Sequence, residues 1–166
     1  MAHKMTASRI AASFIAAMFV IALVTAARAD EAATNAKAVN DAFNAAFETC
    51  NVPAVMALYE DNAVLIWPGT GEFAIGKPAI EKIVKGYCSA PTKPSIKVIS
   101  SDARKVGLDY IIHFGQLDTT ISGPDGKPAT LRIRTSELLH KSHGKWRYEV
   151  DHASAGLPPA DAGKTP

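Results

Sequence analysis

The stretch SIKVISSDARKVGLDYIIHFGQLDTTISGPDGKPATLRIRTSELLHKSHGKWRYEVDHAS, residues 95–154, decides the fold. Polar and apolar residues alternate along it, and turn residues interrupt it at Gly123-Pro124-Asp125-Gly126 and at His143-Gly144. An alternation of polar and apolar residues with a period of two, interrupted by such turns, predicts long antiparallel strands. We predict four strands, at residues 95–105, 108–122, 129–141 and 145–154.

The residues before this stretch favour helices. An amphipathic helix is predicted over residues 31–49, because apolar residues recur there at intervals of three and four. Short helices are predicted at 53–59 and 77–87, each with a proline in its first turn. Between them, strands at 63–68 and 72–75 flank the turn Gly69-Thr70-Gly71. Helices followed by a meander of strands predict an α+β fold, with a curved sheet around three helices and a cavity between them.

The first 29 residues have the three parts of a cleavable signal peptide. Lys4 and Arg9 give a positive start, residues 10–24 are apolar apart from Ser13, and Ala27-Arg28-Ala29 places small residues around a cleavage point. The apolar run is shorter than the roughly 20 residues of a membrane-spanning helix, although an uncleaved anchor is the alternative. We expect cleavage near Ala29, a periplasmic or secreted location, a domain over residues 30–157 and a disordered tail over 158–166.

Cleavage changes the charge of the protein. The whole chain has 18 basic and 16 acidic residues, and the leader removes Lys4, Arg9 and Arg28, so 15 basic residues remain and the net charge becomes −1. A nearly neutral chain gives no argument for a nucleic-acid partner, or for a membrane partner after cleavage.

Cys50 and Cys88 both remain in the mature chain. An even number of cysteines in a small exported domain favours a disulfide between the first and third helices, with two buried thiols as the alternative. Neither residue belongs to a CxxC pair, and His113 and His152 have no third ligand at credible spacing. The glycines from Gly69 onward lack the pattern of a dinucleotide loop. We therefore predict no metal and no cofactor.

Short motifs at five places carry a family resemblance: Ala57-Leu58-Tyr59-Glu60-Asp61-Asn62-Ala63-Val64, Trp67-Pro68, Gly76-Lys77-Pro78-Ala79-Ile80, Gly144-Lys145-Trp146-Arg147 and Asp151-His152-Ala153-Ser154. Together they resemble the nuclear transport factor 2 (NTF2)-like superfamily, in its SnoaL-like and ketosteroid-isomerase-like branch, and the ending is similar to small exported proteins of the SgcJ/EcaC type. The resemblance implies a cone-shaped cystatin-like fold and a homodimer. It implies no single activity, because this fold hosts isomerases, cyclases, dehydratases, hydrolases and binding domains.

The catalytic groups that ketosteroid isomerases would imply are absent. The position of the carboxylate base holds Trp67, that of the oxyanion tyrosine falls near Phe43, and that of the second oxyanion donor falls near Ser136. A tryptophan cannot abstract a proton and a phenylalanine cannot donate one. The sequence therefore argues against that isomerase mechanism.

The turns predict which strand residues lie opposite one another. A two-residue turn at His143-Gly144 pairs Ser136 with Asp151, and a four-residue turn at 123–126 pairs His113 with Ser136. The predicted row is His113, Ser136 and Asp151, with Arg134 and Glu149 on the same face. A hydrolase triad is not implied, because neighbouring strand residues project in parallel about 5 Å apart instead of converging. The resemblance turns this row toward the cavity, whereas hydrophobicity would turn the opposite, apolar face toward the helices.

The predicted site residues follow from this row and from the aromatic residues near the cone. Arg134 and Glu149 have two interpretations: cross-strand ion pairing, or an anchor for an acidic or carbonyl ligand while Asp151 or His152 handles a proton. The aromatic residues are core residues or line the cavity mouth. The predicted ligand-binding set is Phe43, Tyr59, Trp67, His113, Arg134, Ser136 and Glu149, and the predicted catalytic residues are Asp151 and His152.

Three functions remain open at this point. The first is an exported homodimer that binds a small, partly apolar molecule in the cone. The second is an isomerase, cyclase or dehydratase with Asp151 or His152 as the base. The third is an association module without a ligand, in which an apolar strand face joins subunits.

Overall fold

Three helices precede the long strands in the part of the chain that the structure describes. The computed structural model describes residues 31–67 and 73–155. Residues 31–48 are helical (α1), and α2 (Val52–Met56) and α3 (Lys77–Ser89) follow. The predicted signal peptide, the predicted turn Gly69-Thr70-Gly71 and the predicted tail lie outside the described residues. Within the described ranges, no helix has the length and apolar character needed to cross a membrane.

The helices bury one face against the sheet, as their periodicity predicts. In α1 the buried residues are Ala32, Ala36, Val39, Ala46 and Phe47, which are at most 8% exposed. Intervals of three and four residues place them on one side of the helix. The position of α1 against the sheet is therefore fixed by burial of apolar side chains.

The two cysteines join the ends of α1 and α3. Cys50 follows the last turn of α1 with a left-handed backbone (φ 56°), and Cys88 lies in the last turn of α3. Their Cα atoms are 5.5 Å apart and their sulfur atoms are at disulfide distance. This separation fits the geometry of a protein disulfide, and the pair is placed to clamp the two helices together.

Six strands form one sheet: β1 (Tyr59–Ile66), β2 (Phe73–Ile75), β3 (Ser95–Lys105), β4 (Tyr110–Ser122), β5 (Pro128–Ser142) and β6 (Lys145–Ala155). The strand order is β2-β1-β6-β5-β4-β3, and among these six described strands only the pair of β1 and β6 is parallel. The predicted α+β class and the mainly antiparallel curved sheet are confirmed. Strand β1 begins earlier than predicted, because Tyr59 pairs with Tyr148 of β6 instead of ending a helix.

The register between β5 and β6 begins as predicted and then shifts. His143 and Gly144 both have positive φ, 50° and 75°, as a tight hairpin turn requires, and Ser142 pairs with Lys145. Beyond Leu139 the pairing slips by one residue, because Glu149 is an extra residue in β6 and forms a bulge. Asp151 therefore lies opposite Glu137 and not opposite Ser136.

The register between β4 and β5 is also one residue away from the prediction. The loop spans residues 123–127, closed by a 2.7 Å hydrogen bond from the Gly123 N–H to the Lys127 carbonyl, and Ser122 pairs with Pro128. His113 consequently lies opposite Glu137. The predicted row of His113, Ser136 and Asp151 is wrong, because a longer loop and a bulge each move the pairing by one residue.

The inner face of β5 carries Ile133, Thr135, Glu137 and Leu139, all of which are buried. Of the residues between them, Arg134 and Ser136 are exposed on the outer face and Leu138 is half-buried there. A one-residue change in register exchanges the two faces of a strand. The expectation that Ser136 faces the cavity is therefore wrong, and the apolar face of β5 packs toward the helices.

Candidate functional site

A row of ionisable side chains crosses the inner face of the sheet. His113 of β4, Glu137 of β5 and Asp151 of β6 are cross-strand neighbours, and they are only 4%, 5% and 6% exposed. Charged groups are rarely buried this deeply unless they are paired. The row is therefore the first candidate for a functional site.

His113 is held at both ring nitrogens. Its Nδ1 lies 2.5 Å from Glu137 Oε2, and its Nε2 lies 2.8 Å from the hydroxyl oxygen of Ser101 on β3. A carboxylate beside Nδ1 favours the tautomer that carries its proton on Nδ1, which leaves Nε2 to accept a hydrogen bond from the Ser101 hydroxyl. Glu137 thus fixes both the orientation and the tautomer of the imidazole.

Asp151 occupies the other end of the row. The Tyr59 hydroxyl donates a 2.5 Å hydrogen bond to Asp151 Oδ2. Burial, and then repulsion from Glu137, raise the pKa of Asp151 to about 7, although the Tyr59 hydrogen bond and His113 oppose the rise. Burial also raises the pKa of Tyr59 well above its usual value, so this phenol remains a donor at neutral pH. Asp151 is therefore poised to exchange a proton near neutrality.

Asn40 links the row to α1. The Tyr148 hydroxyl donates to Asn40 Oδ1 at 3.1 Å, and Asn40 Nδ2 donates to the Ala36 carbonyl at 3.0 Å and lies 3.4 Å from His113 Nδ1. No buried side-chain nitrogen or oxygen among residues 31–67 and 73–155 lacks a hydrogen-bond partner. A fully satisfied network of this kind favours one arrangement of its members.

A cavity of about 300 Å³ lies between α1 and strands β3 and β4, next to His113. Its lining combines apolar, amide, hydroxyl and charged side chains: Ala33, Lys37, Asn40, Asp41, Asn44, Val98, Ser100, Ser101, Asp102, His113, Gly115, Gln116, Leu117 and Thr135. Mixed linings of this kind, with a few convergent polar groups, are typical of small-molecule sites.

Gly115 forms part of the cavity floor. A Cβ atom at this position would lie 2.7 Å from the Ser100 carbonyl oxygen and 3.6 Å from both His113 Cε1 and Thr135 Oγ1. The backbone of β3 therefore approaches β4 more closely than a side chain would allow.

A second cavity, deeper in the cone, holds only about 30 Å³. Phe43, Trp67, Tyr148, Glu137 and Asp151 are among its lining residues. This volume is about that of one water molecule in the liquid. The cone is thus almost filled by its own side chains at the place where the sequence predicted the ligand.

Comparison with known proteins identifies the family. A model of the SnoaL-like domain matches residues 36–158. The chain belongs to the SnoaL-like family, within the NTF2-like superfamily. No match was found among curated proteins.

Solved structures of similar fold come from several bacteria. One, from Xanthomonas campestris, is described as a candidate calcium/calmodulin dependent protein kinase II association domain; it is 26% identical, with a TM-score of 0.66 over 73% of this chain and 85% of that one. A ketosteroid isomerase-like protein from Erwinia carotovora atroseptica is 22% identical, with a TM-score of 0.64 over 76% and 97%. A protein with a cystatin-like fold from Caulobacter vibrioides is 16% identical, with a TM-score of 0.68 over 77% and 92%.

The SnoaL-like fold places five of the predicted site residues in the interior between the sheet and the helices. Phe43 and Trp67 line the deep cavity with Asp151, and His113 lines the larger one. Tyr59 is fully buried and reaches the row through Asp151. Trp67 Nε1 donates to the Tyr87 hydroxyl, which ties β1 to α3.

Four predicted site residues lie elsewhere. Arg134 and Ser136 point to the outer face, where Ser136 Oγ is 3.0 Å from Nδ1 of half-buried His152. Glu149 is the bulge residue of β6, and its Oε2 is 3.8 Å from His140 Nδ1. The expected placement of Arg134, Ser136 and Glu149 on the same face as Asp151 was wrong, because the bulge in β6 turns them away from it, whereas His152 was expected on the opposite face and lies there.

Sequence reasoning missed Glu137, Asn40, Ser101 and Gly115. One pattern could have revealed Glu137. It is separated from Ile133 and Leu139 by even numbers of residues, so it lies on the same face of β5 as these two apolar residues, which hydrophobicity assigns to the core. No comparable pattern identifies the other three, because their importance depends on contacts between distant segments. Within the described ranges, no group of three or more histidine, cysteine or carboxylate side chains could hold a metal ion.

Proposed function

We propose that this protein binds a small, partly apolar molecule in the cavity between α1, β3 and β4, beside His113. The observation that carries the proposal is the buried imidazole, fixed by Glu137 at the wall of a cavity of about 300 Å³. A rigid, oriented polar group at an otherwise mixed surface is the usual means of positioning a ligand. The volume accommodates about ten non-hydrogen atoms, at about 30 Å³ for each water-sized group.

A blocking variant tests the position of the ligand. Ala33 lines the cavity from α1, whereas Ala38 is exposed on the same helix and does not line it. We expect Ala33→Phe to abolish the thermal shifts produced by a panel of small apolar and polar fragments, and Ala38→Phe to leave them unchanged. Equal binding by both variants would contradict this site, and a panel without any saturable binding would contradict ligand binding itself.

The proposal includes export. Residues 1–29 serve as a signal peptide, and cleavage near Ala29 releases a periplasmic or secreted protein. The separation of Cys50 and Cys88 supports this, since disulfides persist in oxidising compartments. N-terminal sequencing of protein recovered from an export-competent host should read from near Asp30; an intact leader on recovered protein would contradict it.

The second candidate function is proton transfer of the isomerase, cyclase or dehydratase type. His113 is favoured as the base over the predicted Asp151 and His152, because Glu137 can stabilise its protonated form and its Nε2 reaches the larger cavity through the hydroxyl of Ser101, which lines that cavity and can relay the proton. His152 lies on the outer face, and Asp151 borders only the small cavity. The proposed proton transfer therefore depends on the imidazole of His113 and the carboxylate of Glu137.

Deuterium exchange tests this candidate without knowledge of the substrate. We expect the protein to accelerate exchange of the protons next to the carbonyl of cyclohexanone in D₂O, followed by NMR. His113→Gln should remove the acceleration, and His152→Gln should preserve it. Exchange unaffected by His113→Gln would assign the base elsewhere, and an absence of exchange across a panel of small ketones would leave binding as the function.

Homodimer formation is also part of the proposal. Ile112, Leu138 and Val150 form a cross-strand row on the outer face of the sheet, and each is partly or largely exposed. Apolar rows of this kind favour contact with another subunit. Sedimentation should show a dimer at micromolar concentration and a monomer for Leu138→Glu; a monomeric wild type would exclude the dimer and the association-module function.

A further inference from the structure

Three side chains beside the cavity form a continuous chain of hydrogen bonds. Ser101 Oγ lies 2.8 Å from His113 Nε2, and His113 Nδ1 lies 2.5 Å from Glu137 Oε2. The two contacts use opposite nitrogens of one imidazole, so the ring bridges a hydroxyl and a carboxylate. A nucleophile, a base and a group that orients the base are linked in this order in serine hydrolases of unrelated folds.

The position of Gly115 explains how strand residues converge here. Ser101 of β3 lies opposite Gly115 of β4, and His113 lies opposite Ala103. Ser101 and His113 are therefore diagonal neighbours, a separation that an imidazole can span. The imidazole Cε1 lies 3.6 Å from the point that a Cβ of residue 115 would occupy. The ring thus extends past the glycine to the hydroxyl, instead of projecting in parallel with it.

The three residues differ in exposure in the way that this chemistry requires. His113 and Glu137 are buried, whereas Ser101 is exposed. Ser101 lines the cavity of about 300 Å³ and also an adjoining recess of about 510 Å³, which Phe114 and Arg134 line as well. A carbonyl group can therefore approach the hydroxyl from solvent, while the base and its carboxylate are shielded.

We infer that Ser101 is a nucleophile and that the protein hydrolyses small carboxylic esters with an apolar acyl group. This inference rests on the proposed function, because the acyl group would occupy the same cavity, where Val98 and Leu117 supply apolar surface. Lys37 and Asn44 line the cavity too, and their N–H groups can donate to the carbonyl oxygen as it becomes negative.

The reaction has two steps. In the first, the Ser101 oxygen attacks the carbonyl carbon of the ester, and its proton passes to His113 Nε2. The bond between that carbon and the alcohol oxygen breaks, and the alcohol leaves with the proton. In the second, water gives a proton to His113 and its oxygen attacks the acyl carbon; the Ser101 oxygen leaves and recovers the proton, and the carboxylic acid is released. Glu137 stabilises the imidazolium in both steps and stays ionised.

Reaction with 4-nitrophenyl acetate tests the inference, because transfer of its acetyl group releases coloured nitrophenolate. We expect an acetyl group on Ser101, located by mass spectrometry of the digested protein after a rapid acid quench. His113→Gln should slow this acetylation at least about 100-fold. Ser101→Ala should remove it and leave the melting temperature nearly unchanged, because residue 101 is exposed.

The outer face supplies a matched control. Ser136 Oγ lies 3.0 Å from His152 Nδ1 and forms a second serine–histidine pair, so Ser136→Ala should leave the rate of nitrophenolate release unchanged. Glu137→Gln keeps an acceptor for His113 Nδ1 and removes the charge. It should slow acetylation but preserve the binding of 4-nitroacetanilide, an amide of similar shape that reacts far more slowly. Equal rates for this variant and the wild type would contradict the role of Glu137.

Binding and acetylation together separate the two proposals. Saturable binding of 4-nitroacetanilide without acetylation of Ser101 would overturn the nucleophile and leave the cavity as a binding site. Acetylation of Ser101 that is as fast in His113→Gln as in the wild type would overturn the triad in the same way. A protein that neither binds the amide nor accepts the acetyl group would overturn the proposed function together with this inference.

Discussion

Replacing Asp151 by asparagine should stabilise the protein at alkaline pH. Asp151 is buried beside Glu137 and accepts a hydrogen bond from Tyr59. An asparagine has nearly the same shape, its oxygen can accept from the same hydroxyl, and its amide can donate toward Glu137. The substitution therefore keeps the network and removes a charge whose burial is unfavourable.

The magnitude follows from the change in pKa on folding. The pKa of Asp151 rises from 3.8 to about 7, so between these values the folded protein holds a proton that the unfolded chain has released. The free energy of unfolding then falls as pH rises from about 4 to about 7, and is constant beyond. At about 1.4 kcal/mol for each pKa unit, the loss is at most about 4 kcal/mol.

Urea denaturation followed by fluorescence of Trp67 and Trp146 measures this effect between pH 4 and pH 9. The two proteins should have similar free energies of unfolding at pH 4, and the asparagine variant should be more stable above pH 7. At each pH, subtracting the free energy of unfolding of the wild type from that of the variant removes the contribution of the other titratable groups. A variant that is less stable than wild type at pH 8, or a difference that does not change with pH, would refute the reasoning.

Asp118→Asn provides a control of opposite sign. The hydrogen bond and charge of Arg132 lower the pKa of Asp118, so its contribution to stability is present near neutrality and is lost as pH falls through the folded-state pKa. This variant should therefore be less stable than wild type at neutral pH and equal to it in strong acid. If Asp118→Asn also increased the free energy of unfolding at alkaline pH, the increase for Asp151→Asn would come from the loss of a carboxylate in general and not from the burial of Asp151.

Two further predictions concern Gly115 and the cysteine pair. Gly115→Ala should destabilise the protein by about 1–3 kcal/mol in urea denaturation, because its Cβ would lie 2.7 Å from the Ser100 carbonyl, whereas Gly86→Ala in the last turn of α3, where a Cβ meets nothing within 4 Å, should be neutral or stabilising. Equal effects at the two glycines would exclude the steric explanation. Cys50→Ser should cost about 2–4 kcal/mol under oxidising conditions and much less after reduction, measured by the same denaturation; a cost independent of reductant would mean that no disulfide with Cys88 had formed.

The order and type of the elements could be predicted from local patterns. The period of two in residues 95–154 located β3 to β6 within two residues, and the turn at His143-Gly144 fixed the first pairs of its hairpin. Local patterns suffice here because each strand must bury one face, and because a left-handed turn favours particular residues. Local patterns left open which face of the sheet turns inward, because the family resemblance and hydrophobicity favoured opposite faces.

The site itself could not be predicted, because it depends on single-residue offsets. The loop at residues 123–127 contains one residue more than the predicted turn, and no local preference excludes the shorter loop. Ser136 and Glu137 are adjacent, so an error of one residue exchanges a hydroxyl for a carboxylate in the centre of the row. The predicted chemistry changes accordingly: with Ser136 the row contains a possible nucleophile, whereas with Glu137 it contains a histidine and carboxylate pair.

Deletion of Glu149 would test how the bulge contributes to this arrangement. Tyr148 pairs with Leu139 and Val150 pairs with Leu138, so Glu149 is the extra residue of β6. Without it, these two pairs become consecutive, and Asp151 remains opposite Glu137 on the inner face. The deletion variant should therefore fold and retain the fall in stability between pH 4 and pH 7. Loss of that fall in a folded variant would mean that Asp151 had turned outward and that the bulge, rather than burial of the flanking apolar residues, determines which face it occupies.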